Sequence, residues 1–140
     1  MGEKAITGTC LCGGVRFEVT GPLDRVVHCH CTICQRAHGA AFVTWAAVPQ
    51  ERVCITAGES DVTHYRSSEI GTRSFCGTCG SSMFCTLDTH PGTIDIALAC
   101  LAQDHGAAPR AHVFWDDHAG WVELTDALPR LGGKSGMEPR

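Results

Sequence analysis

Seven of the ten cysteines fall into three tight clusters: Cys10-Leu11-Cys12, Cys29-His30-Cys31-Thr32-Ile33-Cys34 and Cys76-Gly77-Thr78-Cys79. Cysteines one residue apart, as in Cys10/Cys12 and Cys29/Cys31, bridge each other only with strain, yet on an extended backbone they project to the same face. That spacing suits two sulfurs gripping one metal ion. Cys76-x-x-Cys79 needs a second pair to complete a tetrahedral site, and Cys10-x-Cys12 is the other isolated pair in the chain. Four thiolates close a zinc site completely, so this set is expected to be structural.

Cys29, Cys31 and Cys34 lie on one continuous segment and leave the fourth position of a second zinc open. An open position can polarise water, or it can take a thiol from solution and hold it as thiolate. Three soft, anionic ligands favour the second use. A free thiol with pKa near 8.5 is only about 3% ionised at pH 7, so full ionisation raises the nucleophile concentration roughly thirty-fold, or ~2 kcal/mol. The competing reading is a second closed site completed by a histidine. His28 and His30 alternate with the cysteines and would face away on a strand, whereas His38 could return on a helix. Cys54, Cys85 and Cys100 stand singly in apolar runs and are expected to pack as small hydrophobes.

Short strands must position these clusters. Val15, Phe17 and Val19 alternate with Arg16 and Glu18 ahead of Gly21-Pro22, the period of a half-buried strand. Residues 41–48 form a more continuous apolar run, suited to a strand covered on both faces. Further strands are expected over 53–56, 62–66, 72–75 and 82–87. Ile94, Ile96, Leu98 and Cys100 should share one strand face, with last strands at 112–115 and 121–124. The single helix expected, Thr32 to His38, starts inside the second cluster and would place its positive end beside the thiolates. Glycines around Cys76 and Cys79 tolerate the bend that turns backbone amides toward the sulfurs. These elements make a mainly β chain, a single domain over residues 1–130, with a frayed tail at 131–140.

With 44% hydrophobic residues and a formal net charge of -4, the chain is not of the disordered class and has no basic field for nucleic acid. The N-terminal residues lack an apolar signal core, and no stretch reaches the ~18 apolar residues of a membrane span. A cytoplasmic protein without membrane contact is the expectation, and a reducing compartment suits metal-bound thiolates better than disulfides.

Gly8-Thr-Cys-Leu-Cys-Gly-Gly-Val-Arg-Phe17, His28-Cys-His-Cys-Thr-Ile-Cys-Gln-Arg36, Phe75-Cys-Gly-Thr-Cys-Gly-Ser-Ser-Met-Phe84 and Trp121-Val-Glu-Leu-Thr-Asp-Ala-Leu-Pro129 together resemble the glutathione-dependent formaldehyde-activating enzymes and the related centromere protein V group. The resemblance implies a compact, zinc-organised β fold of the zinc-ribbon-like, β-tent kind, with two zinc ions. It implies a structural site at Cys10, Cys12, Cys76 and Cys79, and a catalytic one at Cys29, Cys31 and Cys34. It implies glutathione as substrate and formation of S-hydroxymethylglutathione from formaldehyde, a carbon–sulfur lyase reaction run in reverse. Gln35 stands between Cys34 and Arg36, where such motifs usually carry arginine directly after the third cysteine.

The expected partners are therefore a small thiol and an aldehyde. Glutathione carries two carboxylates, and Arg36, His38 and Arg73, near the clusters in sequence, are the candidates to bind it. The alternative for each arginine is an ordinary solvated face. Two other functions compete: a non-catalytic zinc module that binds a protein partner, and a methionine sulfoxide reductase B-like redox enzyme, which would need Cys85 or Cys100 as a reactive thiol.

Overall fold

Val15, Phe17 and Val19 are buried and Arg16 and Glu18 exposed, so the alternation in the sequence becomes one face of a strand. The structure, a computed structural model, describes residues 5–140. In chain order its elements are β1 (Ile6–Thr9), β2 (Arg16–Val19), β3 (Val26–Cys29), α1 (Thr32–His38), β4 (Val43–Pro49), β5 (Val53–Ala57), β6 (Val62–Arg66), β7 (Gly71–Cys76), β8 (Ser82–Leu87), β9 (Thr93–Ala97), β10 (His112–Val113), β11 (Leu131–Gly132) and β12 (Glu138–Pro139). They form a mainly β domain with one α-helix, as the sequence indicates.

β1, β2 and β5 make a three-stranded antiparallel sheet, and a seven-stranded sheet runs β10-β3-β4-β9-β8-β7-β6. Every neighbouring pair in the larger sheet is antiparallel except β10 with β3. Its two faces bury different cores. Phe17 and Val19 of the small sheet meet Val48, Met83, Phe84 and Ile96 of the large one, with the Phe17 and Phe84 rings edge to face at 4.8 Å. Each such side chain contributes about 2 kcal/mol by leaving water. The opposite face gathers Cys29, Val43, Trp45, Cys85, Ala97 and Val113 under the helix residue Cys34. Strand β4 feeds both cores, which is why its sequence is apolar nearly throughout.

Met83 and Phe84 are consecutive yet share the first core. Ser74 pairs with Phe84 and Phe75 with Ser82, so Met83 is the extra residue of a β-bulge. Gly8 pairs with Phe17, and a Cβ there would lie 2.2 Å from the ring, so this position admits no side chain.

Five expectations are corrected. The strand through Ile94 stops at Ala97, and Leu98–Cys100 turns as a 3-10 helix, so Cys100 leaves the shared face. The strand from His112 ends at Val113, because Phe114 takes a left-handed conformation (φ 54°) before another 3-10 turn at Trp115–Asp117. Residues 121–124 form no strand, and Trp121 is 78% exposed. Cys54 is exposed, since β5 is an edge strand that turns Val53 and Ile55 toward the core and Cys54 away from it. The last ten residues are folded back as the β11–β12 hairpin, with Arg140 in an ion pair to Asp116. Leu131 packs against the second core, and charge and hydrogen bonding hold the rest of this segment, which an apolar count misses.

Candidate metal centres

The turn after β1 and the turn between β7 and β8 bring Cys10, Cys12, Cys76 and Cys79 together, all four sulfurs lying within 4.8 Å of one another. The Cys10–Cys12 and Cys12–Cys76 sulfur separations are 3.5 and 3.8 Å. A tetrahedron with 2.3 Å zinc–sulfur bonds has an edge of ~3.8 Å, so the donor set fits zinc. Amides point at the sulfurs as such a site requires: Val15 N–H to Cys10 at 3.3 Å, Gly14 N–H to Cys12 at 3.4 Å and Cys79 N–H to Cys76 at 3.5 Å. Gly80, at φ 80°, makes the second turn and donates its N–H to the Cys76 carbonyl. The Ser81 hydroxyl, 3.2 Å from the Cys79 sulfur, helps hold that thiol down to about 5.

Cys29 ends β3, Cys31 caps α1 and Cys34 is buried on the first turns of that helix. Their sulfurs also lie within 4.8 Å of one another, and among the described residues no histidine nitrogen or carboxylate joins this group. Cys34 N–H donates to the Cys31 sulfur at 3.3 Å, so the helix cap is itself a member of the site. The three sulfurs are unequal. Contacts with the Cys29 and Cys31 sulfurs hold the Cys34 thiol far below the ordinary range, against burial, with help from Trp45 and Arg73. Cys29 is pushed up by the same sulfur contacts and by burial. Trp45 Nε1–H and an Arg73 Nη2–H both donate to the Cys34 sulfur, each at 3.4 Å.

Arg73 reaches this site through strand register. Tyr65 pairs with Arg73, Arg73 with Cys85, Cys85 with Asp95 and Asp95 with Ala47, so one row across β6, β7, β8, β9 and β4 shares the face that holds the cysteines. The Arg73 guanidinium also stands 5.7 Å from the Trp45 ring centre, and its buried Nε and Nη1 have no hydrogen-bond partner. Asp95 is pushed up to about 6 by burial, then by the Cys34 charge, with His90, Arg25 and Arg73 opposing.

Of the other residues singled out from sequence, His38 packs its ring edge-on against Trp45 at 5.3 Å and leaves a buried Nε2 unpaired. Burial lowers its pKa. Arg36 is exposed on the last turn of α1 and takes no part in the sulfur contacts. Gln35 instead faces inward, donating to the His30 carbonyl at 2.7 Å and the Asp117 carbonyl at 2.9 Å. His28 and His30 do turn away from the sulfurs, toward Thr44 and His112 respectively. Trp45 and Asp95 were not legible as site residues: Trp45 reads as strand core, and Asp95 joins the row only once β8 and β9 are in register.

The fold and its two sulfur groups define a β domain organised around cysteine clusters. The family profile described as glutathione-dependent formaldehyde-activating enzyme matches residues 5–117, a span holding all seven clustered cysteines, and the chain belongs to that family. A Halomonas elongata protein named for the same family is 24% identical over 126 residues, covering 85% of this chain and 80% of that protein. A crystal structure of a Rhodobacter sphaeroides protein, 25% identical, superposes with a TM-score of 0.61, covering 74% of this chain and 97% of that one. Among the described residues no helix is long and apolar enough to cross a membrane.

Proposed function

We propose that the protein joins glutathione, or a similar small thiol, to formaldehyde, or reverses that addition, as a carbon–sulfur lyase of the S-hydroxymethylglutathione synthase kind. The observation that carries this reading is the three-cysteine group, a donor set one short of closure beside the half-buried Arg73. Cys29, Cys31 and Cys34 would hold one zinc, and Cys10, Cys12, Cys76 and Cys79 a second that clips the two sheets together. Zinc bound at the three cysteines supplies the charge that keeps an incoming thiol ionised near neutral pH.

The chain's own side chains divide the remaining work. Half-buried Arg73 balances sulfur charge, and its unpaired buried Nε and Nη1, with the unpaired His38 Nε2, are donors suited to a carboxylate or carbonyl oxygen of the substrates. Arg36, being exposed, can act only at the outer rim. Asp95 is the carboxylate on the same face, and a pKa of about 6 suits it to take the thiol proton. In the addition the sulfur lone pair forms the S–C bond and the carbonyl π pair moves to oxygen. That oxygen receives the proton the thiol lost, and nothing is oxidised or reduced.

A methionine sulfoxide reductase-like reading loses its nucleophile, because burial pushes Cys85 and Cys100 up to about 11 each. We place the reaction in a reducing compartment such as the cytoplasm, where ten thiols persist. Metal analysis of wild type and Cys31→Ser, paired with exchange spectroscopy of the formaldehyde–glutathione equilibrium, tests the reading. Two zinc ions and accelerated exchange are expected for wild type, with one zinc and no acceleration for Cys31→Ser. An uncatalysed exchange rate in the two-zinc wild type would sink the enzymatic reading in favour of a binding module.

A further inference from the structure

Behind the three-cysteine group lies a buried polar chain that no part of the proposed chemistry uses. Both Asp126 carboxylate oxygens lie 3.0 and 3.1 Å from His112 Nε2, and His112 Nδ1 lies 2.8 Å from His30 Nε2. His112 and His30 are 1% and 0% exposed. The chain ends at His30 Nδ1, buried and without a partner. His30 sits between two of the three cysteines, its ring packed against Phe42 and Trp115 at centroid distances of 4.9 and 4.8 Å. Its backbone N–H donates to Val113 and its carbonyl accepts from Gln35.

The direction of this chain follows from its outer end. An ionised carboxylate only accepts, so His112 donates from Nε2, and in the arrangement proposed here it accepts at Nδ1. His30 then donates from Nε2, and what is left unpaired at Nδ1 is a lone pair. The reversed arrangement would bury an unpaired N–H, the costlier of the two defects. Asp126 is itself fixed from several sides. Burial would raise its pKa, but the Leu128 amide, His112 and Arg130 outweigh that and hold it at about 2. Arg130 pairs with it at 3.0 Å and lies 5.1 Å from the Trp115 ring centre. Asp126 lies beyond the residues matched to the family profile.

We propose that Asp126, acting through His112 and His30, is a positioning residue for the three-cysteine group: it fixes the orientation of the His30 ring and so the backbone that aims Cys29 and Cys31 at one point. Three anionic sulfurs drawn together repel one another, and a rigid support lowers the cost of gathering them. This rests on the reading of Cys29, Cys31 and Cys34 as metal ligands, and it is independent of which thiol or aldehyde is used.

The four-cysteine group supplies an internal control, since the histidine chain adjoins, through the His30 backbone, only the other group. Zinc would be titrated into wild type and Asp126→Asn in competition with a metallochromic chelator, and histidine ring nitrogens read by nitrogen-15 NMR. A neutral amide can donate as well as accept, so the variant keeps the shape and loses the direction. The expected result is an affinity loss of about 10- to 100-fold at the three-cysteine site alone, with Asp126→Glu recovering part of it. Wild-type spectra should show His30 and His112 protonated at Nε2, and Asp126→Asn should mix the tautomers. Equal weakening of both sites, unchanged affinity at the three-cysteine site, or wild-type His30 protonated at Nδ1 would each overturn the proposal. Failure of wild type to take a second zinc would instead strike the ligand reading beneath it.

Discussion

An Arg73 Nη2–H donates to the Cys34 sulfur at 3.4 Å across 39 residues of sequence, and Trp45 Nε1–H donates to the same sulfur. Two donors on one thiolate withdraw charge from it. That leaves Cys34 a poor nucleophile, so under the proposed function an aldehyde at the site would meet a protein sulfur less reactive than the substrate's.

Arg73→Met should therefore show two effects at once. Catalysed thiol–formaldehyde exchange is expected to fall by roughly 10- to 100-fold, the worth of a charged hydrogen bond of about 1.5–3 kcal/mol. Labelling of Cys34 by iodoacetamide, mapped by mass spectrometry, should become faster. Arg36→Ala, on an exposed helix turn, should change neither rate by more than about twofold.

Loss of a ligand should separate the two sulfur groups by their effect on folding. Cys12 and Cys76 are 64 residues apart and their sulfurs 3.8 Å apart, so zinc held there closes a long loop. Cys76→Ser is expected to lower the melting temperature by more than about 10 °C or to prevent folding, as metal binding at such a site is folding free energy. Cys31→Ser should lower it by only a few degrees. Circular dichroism melts with and without chelator distinguish these outcomes.

Each cysteine cluster was legible because thiolate spacing is a local property of the sequence, and the match of Cys10/Cys12 with Cys76/Cys79 followed from the pairs left over; β2, β4 and α1 were legible too. What was not legible is non-local. Arg73 was within sight only as a residue near a cluster, and its contact with Cys34 depends on the pairing of β7 with β8. Asp126 reads as one residue of a terminal motif until the chain folds it against His112. Phe114 ended its strand through a left-handed backbone that nothing in the sequence announces, and the C-terminal hairpin is held by the Asp116–Arg140 ion pair together with Leu131, which packs against the second core.

Gly8→Ala tests the approach of β1 to the first core. The added Cβ would sit 2.2 Å from the Phe17 ring, and Phe17 is already packed against Phe84. Overpacking of this kind costs about 1–3 kcal/mol. Urea denaturation should show that loss with an unchanged slope, because one methyl group hardly changes the surface exposed on unfolding.

Asp95 predicts an uncommon pH dependence. Its folded pKa of about 6 lies above the ordinary carboxylate value near 3.8, so the folded state binds the proton more tightly than the unfolded state does. The favourable contribution is present below pH ~4 and is lost as pH rises toward 6, the reverse of a salt-bridged carboxylate. Asp95→Asn removes the burial penalty on the charge, so it should stabilise the protein at pH 7 by on the order of 1–2 kcal/mol and leave it unchanged at pH 4. The same substitution should flatten the rise in exchange rate between pH 5 and about 7 that a carboxylate base of this pKa produces. Chemical denaturation at the two pH values, alongside the rate profile, separates the two roles. Stabilisation without a change in the profile would remove Asp95 from the proton path while leaving its burial intact.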